Sequence, residues 1–317
     1  MEGSRIRIGV SSCLLGNPVR FDGGHKLDHW MVDVLARHVE FVPVCPEVEC
    51  GLGVPREAMH LAGDPASPRL VTVRSGVDLT DRMLDFSRRR VEALAGEDLC
   101  GFIFKSDSPS SGMERVKVYG APGSSPLKRG VGLFARCFME RFPLIPVEEE
   151  GRLNDPTLRE NFIECLFTLR RWRDFRAAPT VAGWIGFHAA HKYLLMAHSV
   201  PLLKELGKLV AAPVKTDLAA QLASYEVLLL TCLRTRPTVS RHVNVLQHLL
   251  GYFKHDISAR EKAELLEVIS NYQSGFVPLI VPVTLLRHHA RLHDKSYLLD
   301  QVYLDPHPVE LALRNHV

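Results

Sequence analysis

Three short stretches carry the side chains best suited to chemistry. In "SSCLLGNPVRFDGGHK", residues 11–26, Cys13 stands in a Gly-rich turn with Arg20 and Asp22 close behind. Backbone amides in such a turn can stabilise a thiolate, and a ligand can approach it; the plainer reading of Cys13 is a small buried hydrophobe. In "PVCPEVECGLGVPRE", residues 43–57, Cys45 precedes Pro46 and Glu47. Proline after a cysteine keeps the chain extended and removes a donor, a setting for a metal-binding thiolate with Glu47 beside it as acid or base. Glu47 and Glu49 also read as solvated loop charges. Cys45 and Cys50 lack the C-x-x-C spacing of zinc ribbons. In "FKSDSPSSGMERVKVY", residues 104–119, Ser106, Ser108, Ser110 and Ser111 crowd one loop, where hydroxyls and amides serve an oxyanion or cap turns.

The elements around these stretches say how they can meet. β-rich apolar runs at 5–12, 39–44, 99–105 and 142–147 alternate with helical spacing over 26–38, 79–96 and 129–142, which predicts an α/β domain with a Rossmann-like parallel sheet and flanking helices. Ligands gather beyond the carboxyl ends of such strands. Cys13, Cys45 and the serine loop each follow a strand, so three distant segments should converge on one edge. A boundary falls near "EEEGRLNDP", residues 148–156, giving domains 1–150 and 151–317. After it the spacing is helical throughout, with seven helices and an all-α second domain.

Composition narrows the class. With 46% hydrophobic and 24% charged residues, the 317-residue chain can bury large cores. No run approaches the roughly 20 apolar residues that span a bilayer, and the first residues lack the apolar core of a signal peptide, so a cytoplasmic protein without membrane contact is expected. Seven cysteines, an odd number, suit reduced thiols, a metal site or catalysis better than a disulfide framework. Acidic residues outnumber basic ones over 1–150, and the reverse holds over 151–317, where most of the fifteen histidines also lie. His188, His191 and His198 share a helix face and read as a packed or RNA-facing stripe rather than a metal site.

Taken together, the three stretches resemble the DUF523 family, which includes the thiouracil desulfidases. "FHAAHKYLLMAHS", "GFVPLIVPVTLLRHH" and "YLDPHPVELALRN" resemble the DUF1722 family. Chains joining both are similar to bacterial desulfidases that remove sulfur from 4-thiouridine in transfer RNA. The resemblance implies a [4Fe-4S] cluster held by three cysteines, with one open iron taking the substrate sulfur without redox change. Cys13 and Cys45 match two ligands. The third belongs to a Ser-Pro-Ser-Cys-Gly motif, and here "SPSSG" puts Ser111 in its place. Three readings follow: an engineered Cys→Ser change, favoured by the intact flanks, replacement by Cys50, or a natural chain that lost the cluster. A serine oxygen is harder and ionises less readily, so cluster affinity should fall.

The remaining roles follow from the same resemblance and from charge. Glu47 is the expected acid–base group and Ser108 the hydroxyl that contacts or attacks the substrate carbon. Ser110, Lys105 and Arg20 are expected to touch substrate. Lys128 and Arg129, before a helix, together with Arg234, Arg236, Arg241, Arg287 and Arg291, are expected phosphate contacts to transfer RNA containing 4-thiouridine. A free-base thiouracil desulfidase, or a non-enzymatic cluster-binding, redox-responsive RNA-binding protein, stands as the alternative.

Overall fold

The computed structural model describes residues 5–121, 125–213 and 217–316. Its chain falls into two compact units, Met1–Asp155 and Pro156–Val317. The first is an α/β fold built on a parallel sheet. The second is helical.

In the first unit, β1 (Ile6–Ser11), β2 (Val39–Val44), β5 (Leu99–Phe104) and β8 (Val147–Glu149) form a sheet of order β2-β1-β5-β8, parallel at every pairing. All six residues of β5 are buried, as expected where helices cover both faces of a parallel sheet. Gly9 of β1 is required: a Cβ there would lie 2.2 Å from the Phe102 ring. Phe102, Phe104, Phe134 and Phe138 then pack as one aromatic cluster beneath α2 (Thr80–Leu94) and α3 (Leu133–Arg141).

Three expectations need correction. The run 142–147 is not a strand before Val147, because Pro143 and Pro146 offer no N–H to a ladder. The expected helix over 26–38 is a π turn at Trp30–Val34 followed by a 3-10 turn at Leu35–Arg37, of which Met31 and Leu35 are buried. A second sheet was not foreseen: β3 (Met59–Ala62), β4 (Arg69–Thr72), β6 (Val116–Tyr119) and β7 (Leu127–Gly130) pair in the order β4-β3-β6-β7. Two hairpins compose it, one following β2 and one following β5 in the chain. Four-residue strands that bury little beyond Leu61, Leu70, Val116 and Val118 leave a weak period-2 signal.

The second unit packs α4 (Pro156–Ala177), α5 (Val181–His198), α6 (Val200–Ala211), α7 (Leu218–Arg234), α8 (Val239–Leu250), α9 (Ala259–Gln273) and α10 (Ile280–Leu292). Local chemistry starts several of them. Thr180, Ser199 and Thr238 cap α5, α6 and α8, and Ser258 with Glu261 makes a capping box at α9. The histidines of α5 are packing groups. His188 meets the Tyr225 hydroxyl at 3.0 Å, while His191 donates to the Phe187 carbonyl at 2.7 Å and stacks on that ring. His198 donates to the Thr235 carbonyl at 2.8 Å. Near the chain end, buried Arg314 pairs with Glu160 at 3.1 Å and Glu164 at 2.7 Å, and donates to the Tyr303 carbonyl at 2.6 Å. Burial raises the Glu164 carboxyl, but Arg314 and His198 outweigh it and hold that carboxyl well below the usual range.

Candidate active site

The strand order places a topological switch between β1 and β5, since the chain leaves β1 for β2 on one side and later returns to β5 on the other. The carboxyl ends at that switch carry the three stretches. β1 runs into the 3-10 turn Ser12–Leu15, closed by Gly16 at φ 88°. The amides of Lys26 and Gly16 donate to the Cys13 carbonyl at 2.9 and 3.3 Å. Cys45 ends β2 and caps the short helix α1 (Pro46–Glu49), with proline at the first helical position. Glu49, though exposed, is partnered: it accepts from the Cys45 amide at 2.8 Å and pairs with Arg90 at 2.9 Å. The Lys105 amide donates to Ser11 Oγ at 2.9 Å, tying the end of β5 to that of β1.

The serine loop is held by its own hydroxyl and by a helix. Ser108 Oγ accepts from the Ser111 amide at 3.1 Å. The carbonyls of Pro109 and Ser110 accept from Leu133, Phe134 and Ala135 at 3.2, 2.9 and 3.1 Å. A Cβ at Gly132 would meet the Ser110 carbonyl at 2.5 Å and the Ser111 nitrogen at 2.7 Å, so only glycine permits this approach. The amino end of α3 therefore holds the loop, its first amides being spent on the Pro109 and Ser110 carbonyls. Lys128 and Arg129 lie exposed on β7; residues 122–124 of the same stretch lie outside the described residues.

These segments enclose a cavity of about 360 Å³, lined among others by Cys13, Cys45, Glu47, Lys105, Ser108 and Ser111. Arg20 lines it too, 3.6 Å from Asp22 and over the Phe21 ring. Glu47 is the hub: it accepts from Ser110 Oγ at 2.5 Å and from the Cys45 thiol at 3.5 Å, with Arg56 at 3.9 Å. Ser110, expected to touch substrate, is fully buried and holds Glu47 instead. Ser111 Oγ lies 3.3 Å from Ser110 Oγ. Lys105 lines the cavity, yet its ammonium is already bound by Glu150 at 2.5 Å and by Ser106, which gives Ser106 a role the sequence did not suggest. Cys50 does not line the cavity. Its thiol donates to the Glu47 carbonyl at 3.2 Å and packs against the apolar core, so it does not replace the missing ligand here.

Arg56 and Glu150 escaped the sequence reading. Arg56 stands within the quoted "GVPRE", and its guanidinium, which also takes the Val19 carbonyl at 3.0 Å, is the cation beside Glu47. Glu150 was read as part of an acidic domain boundary.

Burial pushes the Cys13 thiol up, and burial with the charge of Glu47 pushes Cys45 up to about 12. Burial thus favours the neutral form of both thiols, and a metal centre would displace their protons on binding. Among the described residues, no three His, Cys, Asp or Glu side chains are arranged for a metal ion. The donor set facing the cavity is two thiols and the Ser111 hydroxyl. It fits a three-ligand cluster in place and number, with one hard oxygen where soft sulfur binds iron better.

Of the helical unit's expected phosphate contacts, Arg236 and Arg241 line one cavity of that unit. Arg287 pairs with Asp305 at 2.7 Å, Arg291 is exposed on α10, and Arg234 is on α7. Among the described residues no helix is long and apolar enough to cross a membrane.

Residues 8–150 match the family model described as 2-thiouracil desulfurase, and residues 192–308 match that of DUF1722, a protein family of unknown function. The uncharacterized protein YbgA of Escherichia coli K12 is 28% identical over 165 residues, covering 52% of this chain and 95% of that protein. A solved structure, the [4Fe-4S]-dependent thiouracil desulfidase TudS, is 28% identical with a TM-score of 0.40, covering 48% of this chain and 95% of its own. In chain order, then, a region matching the 2-thiouracil desulfurase model is followed by a region matching the DUF1722 model.

Proposed function

We propose that the first unit removes sulfur from a thiolated pyrimidine, 4-thiouridine in transfer RNA, at a [4Fe-4S] cluster held by Cys13, Cys45 and Ser111. The observation that carries this is one cavity at the switch point holding both thiols, the Ser111 hydroxyl and Glu47. Its volume, about 360 Å³, suits a single base. The reading of transfer RNA rests on the resemblance to two-domain desulfidases and on the basic second half of the chain.

When bound, the cluster supplies a Lewis-acidic iron for the thiocarbonyl sulfur. The residues of the chain handle protons and position. The carbon–sulfur double bond is exchanged for carbon–oxygen with one water consumed and hydrosulfide released, and no electrons are transferred overall. Glu47 is aimed by Ser110 and Arg56, takes a proton from the attacking water and returns it to the departing sulfur. Ser108 lines the same cavity and orients the oxygen nucleophile. Arg20 holds the pyrimidine carbonyl edge or a flanking phosphate.

Thiolated transfer RNA and free thiouracil, incubated separately with anaerobically reconstituted protein, test the reading. Loss of the near-ultraviolet band of 4-thiouridine is expected from the RNA. Loss from thiouracil alone would move the assignment to the free base, and unchanged absorbance for both would defeat the enzymatic reading. The Ser111→Cys variant should retain more iron and sulfide than the chain carrying Ser111. Equal retention would overturn the ligand assignment.

A further inference from the structure

The helical unit holds a second and larger cavity, about 700 Å³, enclosed by α4, the turn before α8, and the end of α9. That volume lies in the range of sites that engulf a ligand of nucleotide size. Its lining is graded. Glu164, Glu160 and His242 are 1%, 7% and 8% exposed, whereas Arg236 and Thr238 at the other side are open to solvent and Arg241 is half-buried.

The inner wall offers acceptors. Asn161 Oδ1 is buried with no hydrogen-bond partner, a cost that a bound donor would remove. His242 uses Nδ1 on the Tyr303 hydroxyl at 2.9 Å. Glu160 lines the same wall but spends Oε1 on Arg314 at 3.1 Å, with Oε2 3.7 Å from His316. The Tyr272 ring adds an apolar wall. The rim offers cations, since Arg236 and Arg241 stand there; Phe276, next in the chain to the lining residues Gly275 and Val277, is 77% exposed. Arg241 is braced by the carbonyls of His198 and Arg236 at 2.7 and 3.3 Å.

We propose that this cavity binds a nucleoside monophosphate, either free or as a nucleotide unit of an RNA chain. The donor edge of the base meets the unpartnered Asn161 acceptor, an exposed ring is available for stacking, and the phosphate meets the arginines at the rim. A bare phosphate would leave the inner acceptor unmet, and a bare nucleoside would leave the rim cations unmet. The site is separate from the cavity of the first unit and stands whether or not that cavity desulfurates anything.

Titration calorimetry on the full chain tests it, using AMP, GMP, CMP, UMP, uridine and inorganic phosphate as probes. At least one monophosphate should bind saturably, about tenfold or more tightly than uridine or phosphate. Arg236→Glu, at an exposed position, should weaken the monophosphate by about tenfold and leave uridine unchanged, while Asn161→Leu should weaken both. Displacement of the bound monophosphate by a short single-stranded RNA assigns the source to RNA, and its persistence assigns a free nucleotide. Absence of saturable binding by every monophosphate, or binding untouched by both substitutions in variants whose circular dichroism and melting match the native chain, overturns the proposal.

Discussion

The two interiors of this protein treat ionisable groups in opposite ways. At the sheet edge, the cysteines are buried as neutral thiols and Glu47 keeps only a serine, a thiol and one distant arginine. In the helical unit, Arg314, Glu160, Glu164 and His198 satisfy one another beneath the chain end. The first arrangement leaves groups available to something that binds. The second largely closes on itself and works as structure, since a buried charge is tolerable only when paired. Richness in titratable residues therefore does not by itself locate chemistry.

The contrast breaks most sharply at Glu47. Glu47→Gln should lower desulfuration by roughly 10² to 10⁴-fold while leaving cluster absorbance and melting unchanged, because the amide oxygen still accepts from Ser110; retained turnover would remove Glu47 from the reaction. Arg314→Met should do the converse. It strands Glu160 and Glu164 in the core and should cost about 3–5 kcal/mol in urea unfolding of the helical unit, with the iron and sulfide content untouched. A loss below about 1 kcal/mol would show that the cluster of charges is not the clasp described.

A smaller effect is expected at Gly132. Gly132→Ala must push apart α3 and the serine loop, costing about 1–3 kcal/mol by denaturant titration and lowering desulfuration through displaced Ser110 and Ser111. The smallest is a pH dependence. Burial holds His191 and His242 down to about 3, against 6.5 when unfolded. The unfolded chain then binds more protons between those values, so stability of the helical unit is lost as pH falls through 6.5. His191→Leu removes a ring whose Nε2 is buried without a partner. It should flatten the slope of stability against pH by up to about 1.4 kcal/mol per unit, and an unchanged slope would place the titration elsewhere.

The sequence alone determined the parallel sheet, the helical second half and the meeting of Cys13, Cys45 and the serine loop. Each rests on local signals: continuous apolar runs for strands buried on both faces, helical spacing, and residues placed directly after strands. It also marked Ser111 as the odd donor, since a motif is read from neighbours. Tertiary structure decided the rest. Only packing turned Ser110 inward to Glu47, directed Cys50 into the core, seated Arg56 beside the carboxylate and bound Lys105 to Glu150. The second sheet and the Arg314 clasp were equally hidden, because short strands carry little periodicity and an ion pair linking residue 314 to residues 160 and 164 leaves no local trace. Residue type and spacing fix which groups reach an edge, but the direction each side chain takes there depends on which partner remains unsatisfied once the chain has folded.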